Sequence, residues 1–313
     1  MSSITWPLAH SARAEAFAYT NETTFRTLKT SSPTYTSVGI VSELRPRIND
    51  VEIDTRNLGS HLIYARQTAF HSYGMTINCY PFDLPFLKYG SEPPNYTTPA
   101  GTQAETLQFL YKYQQAQGTA GTQSHYLFFL GCKMNTLELS VSSQGLVEAT
   151  TDWMVGEITV PVTTANGGLT TPTIPALSAT TTPPISNIDG GNTPFTINSV
   201  SYPIKEFRIQ WNNNIIADDF NGSGLVDQMT TGGIEISGSF RTPVGKNLAL
   251  ETFMHDFPQT GVNASYVFKT GVMVCNMTEF KLVADDNPHI SGPSDTDKHS
   301  FNFVAKTAAL ATS

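Results

Sequence analysis

The sequence predicts a mainly β protein: two tandem β-sandwich or half-barrel units, each with a short flanking helix. Three observations predict it. β-branched and aromatic residues recur in short alternating runs along most of the 313 residues. Helix signals are few and short. A Cys-x-Met strand pattern occurs once in each half of the chain.

The strands are expected in order at 36–44, 74–80, 125–130, 134–141 and 146–158. In 134–141, Leu137, Leu139 and Val141 share one face while Glu138 and Ser140 share the other, which marks a half-buried strand. Between these runs, Thr102 and Glu105 form a capping-box pattern, with Leu107, Leu110 and Tyr111 following at i, i+3, i+4 spacing and Gly118 as a stop. That spacing predicts a helix over 103–117. Residues 161–200 are rich in Thr, Pro, Gly and Ala and carry one acidic and no basic residue. They read as a linker or surface arm. Strands resume at 204–211, 233–240, 265–275, 277–283 and 300–306. The division expected is an N-terminal arm (1–35), a first β unit (36–160), the linker (161–200) and a second β unit (201–313).

The two halves read as weak copies. Cys132, Met134, Leu137 and Leu139 superpose on Cys275, Met277, Phe280 and Leu282 at an offset of 143. Gly74 and Ile77 superpose on Gly233 and Ile236 at an offset of 159. A short helical signal follows each of these latter strands, at 83–89 and at 247–254. Cys132, Met134, Cys275 and Met277 are therefore expected as repeated core positions, the cysteines as small core fillers and not as reactive thiols.

Charge and composition narrow the function. Charged residues are 14% of the chain, hydrophobic residues 39%, and the formal net charge is -8. Phosphate backbones are held by Lys/Arg clusters, and the densest basic group here is Arg45-Pro-Arg47. Stable nucleic-acid binding is disfavoured. No run of 18 apolar residues exists for a membrane span, and the N-terminus lacks the layout of a signal peptide. The three cysteines, Cys79, Cys132 and Cys275, fit neither a disulfide framework nor a zinc pattern. The seven histidines form no metal-ligand pair. His289 and His299 flank an Asp-rich loop (Asp285, Asp286, Asp295, Asp297) whose spacing fits no calcium site. No nucleophile elbow or phosphate loop occurs. No catalytic residue, cofactor site or metal site is expected. Trp153 and Trp211 on strands could form a sugar platform, although core or interface packing is the commoner fate.

Residues 126–141, from Tyr126 through Gly131-Cys132-Lys133-Met134 to Val141, followed by 146–156 ending at Gly156, resemble the major tail tube proteins of long-tailed, siphovirus-like bacteriophages or archaeal viruses. Residues 207–214 are similar to that family's strand ending in an Asn-rich turn, 231–240 to its Gly then Ser-Gly-Ser strand, and 299–306 to its closing strand. The resemblance implies a structural virion protein without enzymatic activity. Its inner sheets join those of neighbours into a ring-wide β-barrel, and stacked rings form the hollow tail tube that delivers viral DNA. The repeat points to trimeric rings of pseudo-sixfold symmetry, with a hexamer as the alternative. Implied partners are other copies of the chain and the tail terminator, tail tip and tape measure proteins. DNA would pass transiently without specific binding, and no membrane insertion is implied. Assembly in the host cytoplasm and residence in the virion tail follow.

In that family the long loop between the second and third strands reaches the neighbouring ring. The matching stretches are about 45–72 and 212–232. Arg45, Arg47, Asp50, Asp54 and Arg56 in the first, and Asp218, Asp219 and Asp227 in the second, are the candidate inter-ring contacts. The alternatives are another viral structural β protein, such as a capsid or decoration jelly roll, and a carbohydrate-binding or carbohydrate-hydrolysing β-sandwich. The last would show an aromatic-lined groove with paired carboxylates.

Overall fold

The computed structural model describes residues 13–22, 24–29, 34–56, 63–82, 84–91, 106–117, 121–142, 145–159, 184–186, 195–220, 225–243, 262–283 and 298–312. The first half comprises β1 (Arg13–Asn21), β2 (Thr36–Ser37), β3 (Ile40–Arg56), β4 (Ile63–Tyr80), α1 (Pro85–Ser91), β5 (Leu107–Gln117), β6 (Gly121–Ser142), β7 (Glu148–Val155) and β8 (Glu157–Thr159). The second half comprises β9 (Phe195–Ile197), β10 (Val200–Tyr202), β11 (Glu206–Asn212), β12 (Ile215–Phe220), β13 (Val226–Thr231), β14 (Glu235–Pro243), β15 (Val262–Lys269), β16 (Met273–Val283), β17 (Lys298–Ala305) and β18 (Thr307–Ala311). The fold is mainly β, antiparallel throughout, and its sheets do not close into a barrel within the chain.

One run of strands crosses both halves in the order β3-β4-β7-β6-β11-β14-β17-β16. Two smaller sheets flank it, β2-β1-β5-β6-β8 and β10-β9-β15-β16-β18. The pairing of β9–β18 thus follows the same order as that of β1–β8. β6 and β16 each belong to two sheets, because each bends where it changes partner. β6 leaves β8 at Leu130 and joins β7 at Lys133, and Gly131 between them has φ +63. A Cβ there would meet Phe25 Cε2 at 2.7 Å, so glycine is required twice over, by conformation and by space. β16 leaves β18 at Thr278 and joins β17 at Lys281, with Glu279 at φ 48 between them.

The alternation of the strands explains the layering. Along β7 every second residue is buried, and Ala149, Thr151, Trp153 and Val155 point to the core. Phe109 of a flanking strand meets Trp153 edge-on at 4.8 Å, and Phe86 of α1 stacks on the same indole at 5.8 Å. In the second half Phe207 stacks on Tyr266 at 4.0 Å, and Phe195 meets Phe240 at 4.8 Å. These aromatic groups belong to one continuous core. Cys132, Met134, Cys275 and Met277 are all buried in it.

Several sequence expectations are corrected. The helix expected over 103–117 is strand β5. It buries Leu107 and Phe109 in the main core and Leu110, on its other face, in a second cluster with Ala18, Tyr35, Phe128 and Leu130. A strand apolar on both faces carries the same i, i+3 spacing as a helix. Thr102 and Glu105 lie outside the described residues. The runs 125–130 and 134–141 are one long strand, bent at Gly131. The run 265–275 is split between β15 and β16 by a turn through Gly271, at φ +76. Of the expected helical signals, 83–89 corresponds to α1, and 247–254 lies outside the described residues. Within 161–200 the described residues Ile185, Phe195 and Ile197 are buried. Ile185 ties in through backbone bonds, its N–H donating to Pro81 O at 3.0 Å and its carbonyl accepting from Val147 at 2.8 Å.

Candidate functional site

The two stretches expected as long loops are β-hairpins. β3 and β4 pair continuously from Ile40↔Tyr80 to Arg56↔Ile63, with bulges between Val41/Glu43, Val51/Glu52 and Thr55/Arg56. β12 and β13 form a separate two-stranded ribbon, from Ile215↔Thr231 to Phe220↔Val226. The candidate contact residues sit on these ribbons. Asp50 lies opposite His71, Asp54 opposite Arg66, Arg56 opposite Ile63, and Asp218 opposite Gln228. Asp219 and Asp227 are neighbours in the same short ribbon.

Arg45 and Arg47 occupy a different place. Both lie on the part of β3 that belongs to the shared sheet, and both already have partners within the chain. Arg45 Nε donates to Glu43 Oε1 at 2.5 Å, and Arg47 donates to Asp152 on β7. Asp152 also accepts from Thr76 Oγ1 at 3.0 Å.

The face of the shared sheet that points away from the core is polar. It carries Thr76 and Asn78 of β4, Glu138 and Ser140 of β6, Glu206, Arg208 and Gln210 of β11, and Ser237, Ser239 and Arg241 of β14, each alternating with buried neighbours. Arg208 bridges the two halves, reaching Glu138 at 2.5 Å, and Arg241 reaches Glu206 at 3.0 Å. With Arg45 and Arg47 included, every described arginine side chain of this face is paired to a carboxylate. Such exposed pairs add little stability, but they mask the guanidinium charge. Glu148 and Glu235 add two more carboxylates to the face.

A shallow groove of about 380 Å³ crosses this face, lined by Ser140, Glu148, Glu206, Arg208, Ser239 and Arg241 among others. The aromatics beneath it, Phe207 and Phe240, are 1% exposed and belong to the core. Trp153 and Trp211 are equally buried, their indole N–H groups donating to Thr151 Oγ1 and Ala308 O, each at 2.8 Å. Neither tryptophan therefore offers a platform for a sugar. Among the described residues no cluster of His, Cys, Asp and Glu could hold a metal. No helix among them is long and apolar enough to cross a membrane. Burial pushes the Cys79 thiol up to about 12 and raises those of Cys132 and Cys275 as well, which suits core fillers. The Asp-rich loop at 285–297 lies outside the described residues.

Two features escaped sequence reasoning. Asn213, 1% exposed between β11 and β12, donates through Nδ2 to Met134 O at 2.9 Å and Gly90 O at 3.2 Å, joining α1, β6 and β11. Glu22, 2% exposed, accepts from Thr106 Oγ1 at 2.6 Å and Gly131 N–H at 2.7 Å, holding the end of β1 against the bend in β6. Neither residue belongs to a local motif. The partners that tie them to other strands are remote in sequence.

The ends of the shared sheet are its chemically unfinished parts. Among the described strands β3 pairs only with β4, so its far edge is open. β15 covers the corresponding edge of β16 up to Phe280, and Lys281–Val283 have no partner strand on that side among the described residues. Open edges of this kind pair with other chains unless they are blocked.

Compared with curated proteins, the chain has no significant match. A family model described as phage tail tube protein matches residues 13–305, nearly the whole chain. The chain belongs to the phage tail tube protein family, whose members are structural components of the viral tail.

Proposed function

We propose that three copies of this chain close into a ring of pseudo-sixfold symmetry, and that rings stack into the tube through which viral DNA leaves. The observation that carries this reading is the shared sheet, open at β3 on one end and at Lys281–Val283 of β16 on the other. One chain contributes two four-strand sets in identical order, β3-β4-β7-β6 and β11-β14-β17-β16, joined side by side. The matching ladder order supports two tandem units, the expected 36–160 and 201–313 each extended N-terminally by a paired strand, β1 and β9, which would let three chains do the work of six single-unit chains. Joining edge to edge around a closed cycle satisfies the open backbone groups and blocks further lateral growth.

On this reading the polar face lines the channel. Its arginines are neutralised within the chain, and Glu148 and Glu235 leave it weakly acidic. Phosphates then find no free guanidinium to grip, so DNA slides. The protein acts without catalysis, in the virion tail after assembly in the host cytoplasm. Tail terminator, tail tip and tape measure proteins are its neighbours there.

The ribbons β3–β4 and β12–β13 are the proposed stacking elements. Asp50, Asp54 and Arg56 on the first, with Asp218, Asp219 and Asp227 on the second, form cross-ring ion pairs. Arg45 and Arg47, already engaged at Glu43 and Asp152, serve the sheet instead. Negative-stain electron microscopy of the purified chain tests the tube, and native mass spectrometry of isolated rings tests the stoichiometry. Hollow tubes of uniform width and rings of three-chain mass are expected. Six-chain rings would overturn the trimer, and single chains at all concentrations would overturn self-assembly.

A further inference from the structure

The chain contains its own template for the contact between copies. Where its halves meet, β11 pairs antiparallel with β6: Arg208↔Ser140, Ile209↔Leu139, Gln210↔Glu138, Trp211↔Leu137, Asn212↔Thr136. The two open edges are the counterparts of these two strands in the other halves. β16 corresponds to β6 at the offset set by Cys132 and Cys275. β3 corresponds to β11 through the neighbouring ladders. Ser239, Ser237 and Glu235 of β14 pair with Arg208, Gln210 and Asn212. At the offset set by Gly74 and Gly233 these serines and this glutamate fall on Tyr80, Asn78 and Thr76, which pair with Ile40, Glu43 and Arg45. Ser42 is the extra residue of the Val41/Glu43 bulge and drops out. The ladders check both offsets independently: Leu139↔Ala149↔Cys79 in one half traces the same path as Leu282↔Phe303↔Gly238 in the other.

From this we infer that the open edge of β16 pairs antiparallel with β3 of a second copy in one defined register, Lys281 opposite Glu43, Leu282 opposite Val41 and Val283 opposite Ile40. The inference rests on the ring reading above and adds its contact residues. Nothing in the template required these side chains to match, yet they do. Val283 and Ile40 are exposed apolar residues, 43% and 46% accessible, on a face that is mostly polar, and the register sets them against each other. Leu282 is buried and Val41 packs on the core from its edge, so they meet on the apolar side. Lys281 has no carboxylate partner among the described residues, while Glu43 is bonded to Arg45 and Asn78. Beyond the open edge, where Val262 of β15 already pairs with Phe280, the incoming strand carries Arg45 towards Glu279, which Lys306 holds at 2.6 Å. Lys306, Glu279, Arg45, Glu43 and Lys281 then form a chain of alternating sign across the seam. A shift of two residues would place Lys281 against Ile40 or Val283 against Glu43.

Cysteine pairs test the register. Directly opposite residues have Cβ atoms about 4.5–5.5 Å apart and diagonal neighbours about 7–8 Å, whereas a disulfide needs roughly 3.5–4.5 Å. The native thiols, buried and held protonated, leave a low background. Assembled I40C/V283C and E43C/K281C proteins are oxidised with diamide and run on a denaturing gel without reductant, beside the shifted pair I40C/K281C. Ladders of covalent multimers from the first two, forming about tenfold faster than from the third, are expected. A second measurement does not depend on cysteine: Glu43→Lys and Lys281→Glu should each raise the concentration needed for assembly, and the double exchange should restore it. Tubes from all variants, with cross-linking fastest in the shifted pair or absent from every pair, would overturn the register while leaving the tube intact. If the unmodified chain forms neither rings nor tubes, the ring reading falls and the register with it.

Discussion

Asn213 offers a sharp test of how the two halves are held together. Its Nδ2 gives both hydrogens to backbone carbonyls, Met134 O of β6 and Gly90 O of α1, while its Oδ1 has no partner among the described residues. All the amide's polar stabilisation therefore runs through donation. Asn213→Asp keeps the shape and removes the donors. Each lost hydrogen bond is worth about 1 kcal/mol, and the abandoned buried acceptors add a desolvation cost, so a loss of about 2–4 kcal/mol is expected at neutral pH. That is on the order of a hundredfold in the folding equilibrium. The new carboxyl faces two carbonyl oxygens and no donor, which raises its folded value above the ordinary Asp value of about 3.9. For such a group the favourable contribution is complete below the unfolded value and disappears as pH rises through the folded one. The deficit should therefore shrink in acid, where the protonated carboxyl again donates. Urea unfolding followed by tryptophan fluorescence reads it directly, since Trp153 and Trp211 are both buried. An unchanged midpoint for Asn213→Asp at neutral pH would refute the argument.

Other outcomes follow from single positions. Gly90→Ala drives a Cβ to 2.3 Å from Met134 Sδ and 2.6 Å from Leu137 Cβ, lifting α1 off β6; a loss of about 1–3 kcal/mol in the same urea assay is expected. Burial raises the Glu22 carboxyl above its ordinary 4.5, outweighing the hydrogen bonds that lower it, so the folded state prefers the protonated acid. Its contribution is full below that ordinary value and is lost as pH rises, and Glu22→Gln should gain on the parent between about pH 4 and pH 7; parallel midpoints across that range would contradict this. Reversing Asp218 and Asp219 together to Lys should leave soluble subunits or rings that no longer stack, and normal tubes from that variant would remove β12–β13 from the proposed stacking contact.

The sequence displayed the parts of the fold whose physics is local. Alternation along 134–141 and 206–211 marked strands with one buried face, and those faces are buried. The repeated Cys-x-Met positions are core residues, a small thiol and a pliable thioether that fill the gaps between larger side chains. What could not be read depends on partners far along the chain. Leu107, Leu110 and Tyr111 looked helical because β5 is covered on both faces, a property of its neighbours. The stretch 45–72 was expected as a loop from the family resemblance alone, whereas the backbone is a paired ribbon whose ladder is indifferent to the charges of Arg45, Arg47, Asp50, Asp54 and Arg56. Glu22 and Asn213 were invisible for the same reason: a lone polar residue acquires meaning only from the carbonyls and amides folded around it.

The same distinction bears on assembly. In the proposed ring half of the seams are β6–β11, inside a chain, where the linking residues keep the two strands at high effective concentration whatever their affinity. The others, β16 against β3 of the next copy, have no such help and must rely on complementarity alone. The two seams are built accordingly. The internal one can use a residue pair as ordinary as Ser140 and Arg208, which are not matched in character, with Arg208 turning diagonally to Glu138 for its partner. The external one sets apolar Val283 and Ile40 together and alternates charge from Lys306 to Lys281. Selection for pairing between chains therefore acts on β3 and β16, and the same positions in β11 and β6 are free to drift. Exchanging the seam residues of β16 for those of β6 should accordingly weaken assembly, whereas the reverse exchange should leave the isolated chain folded.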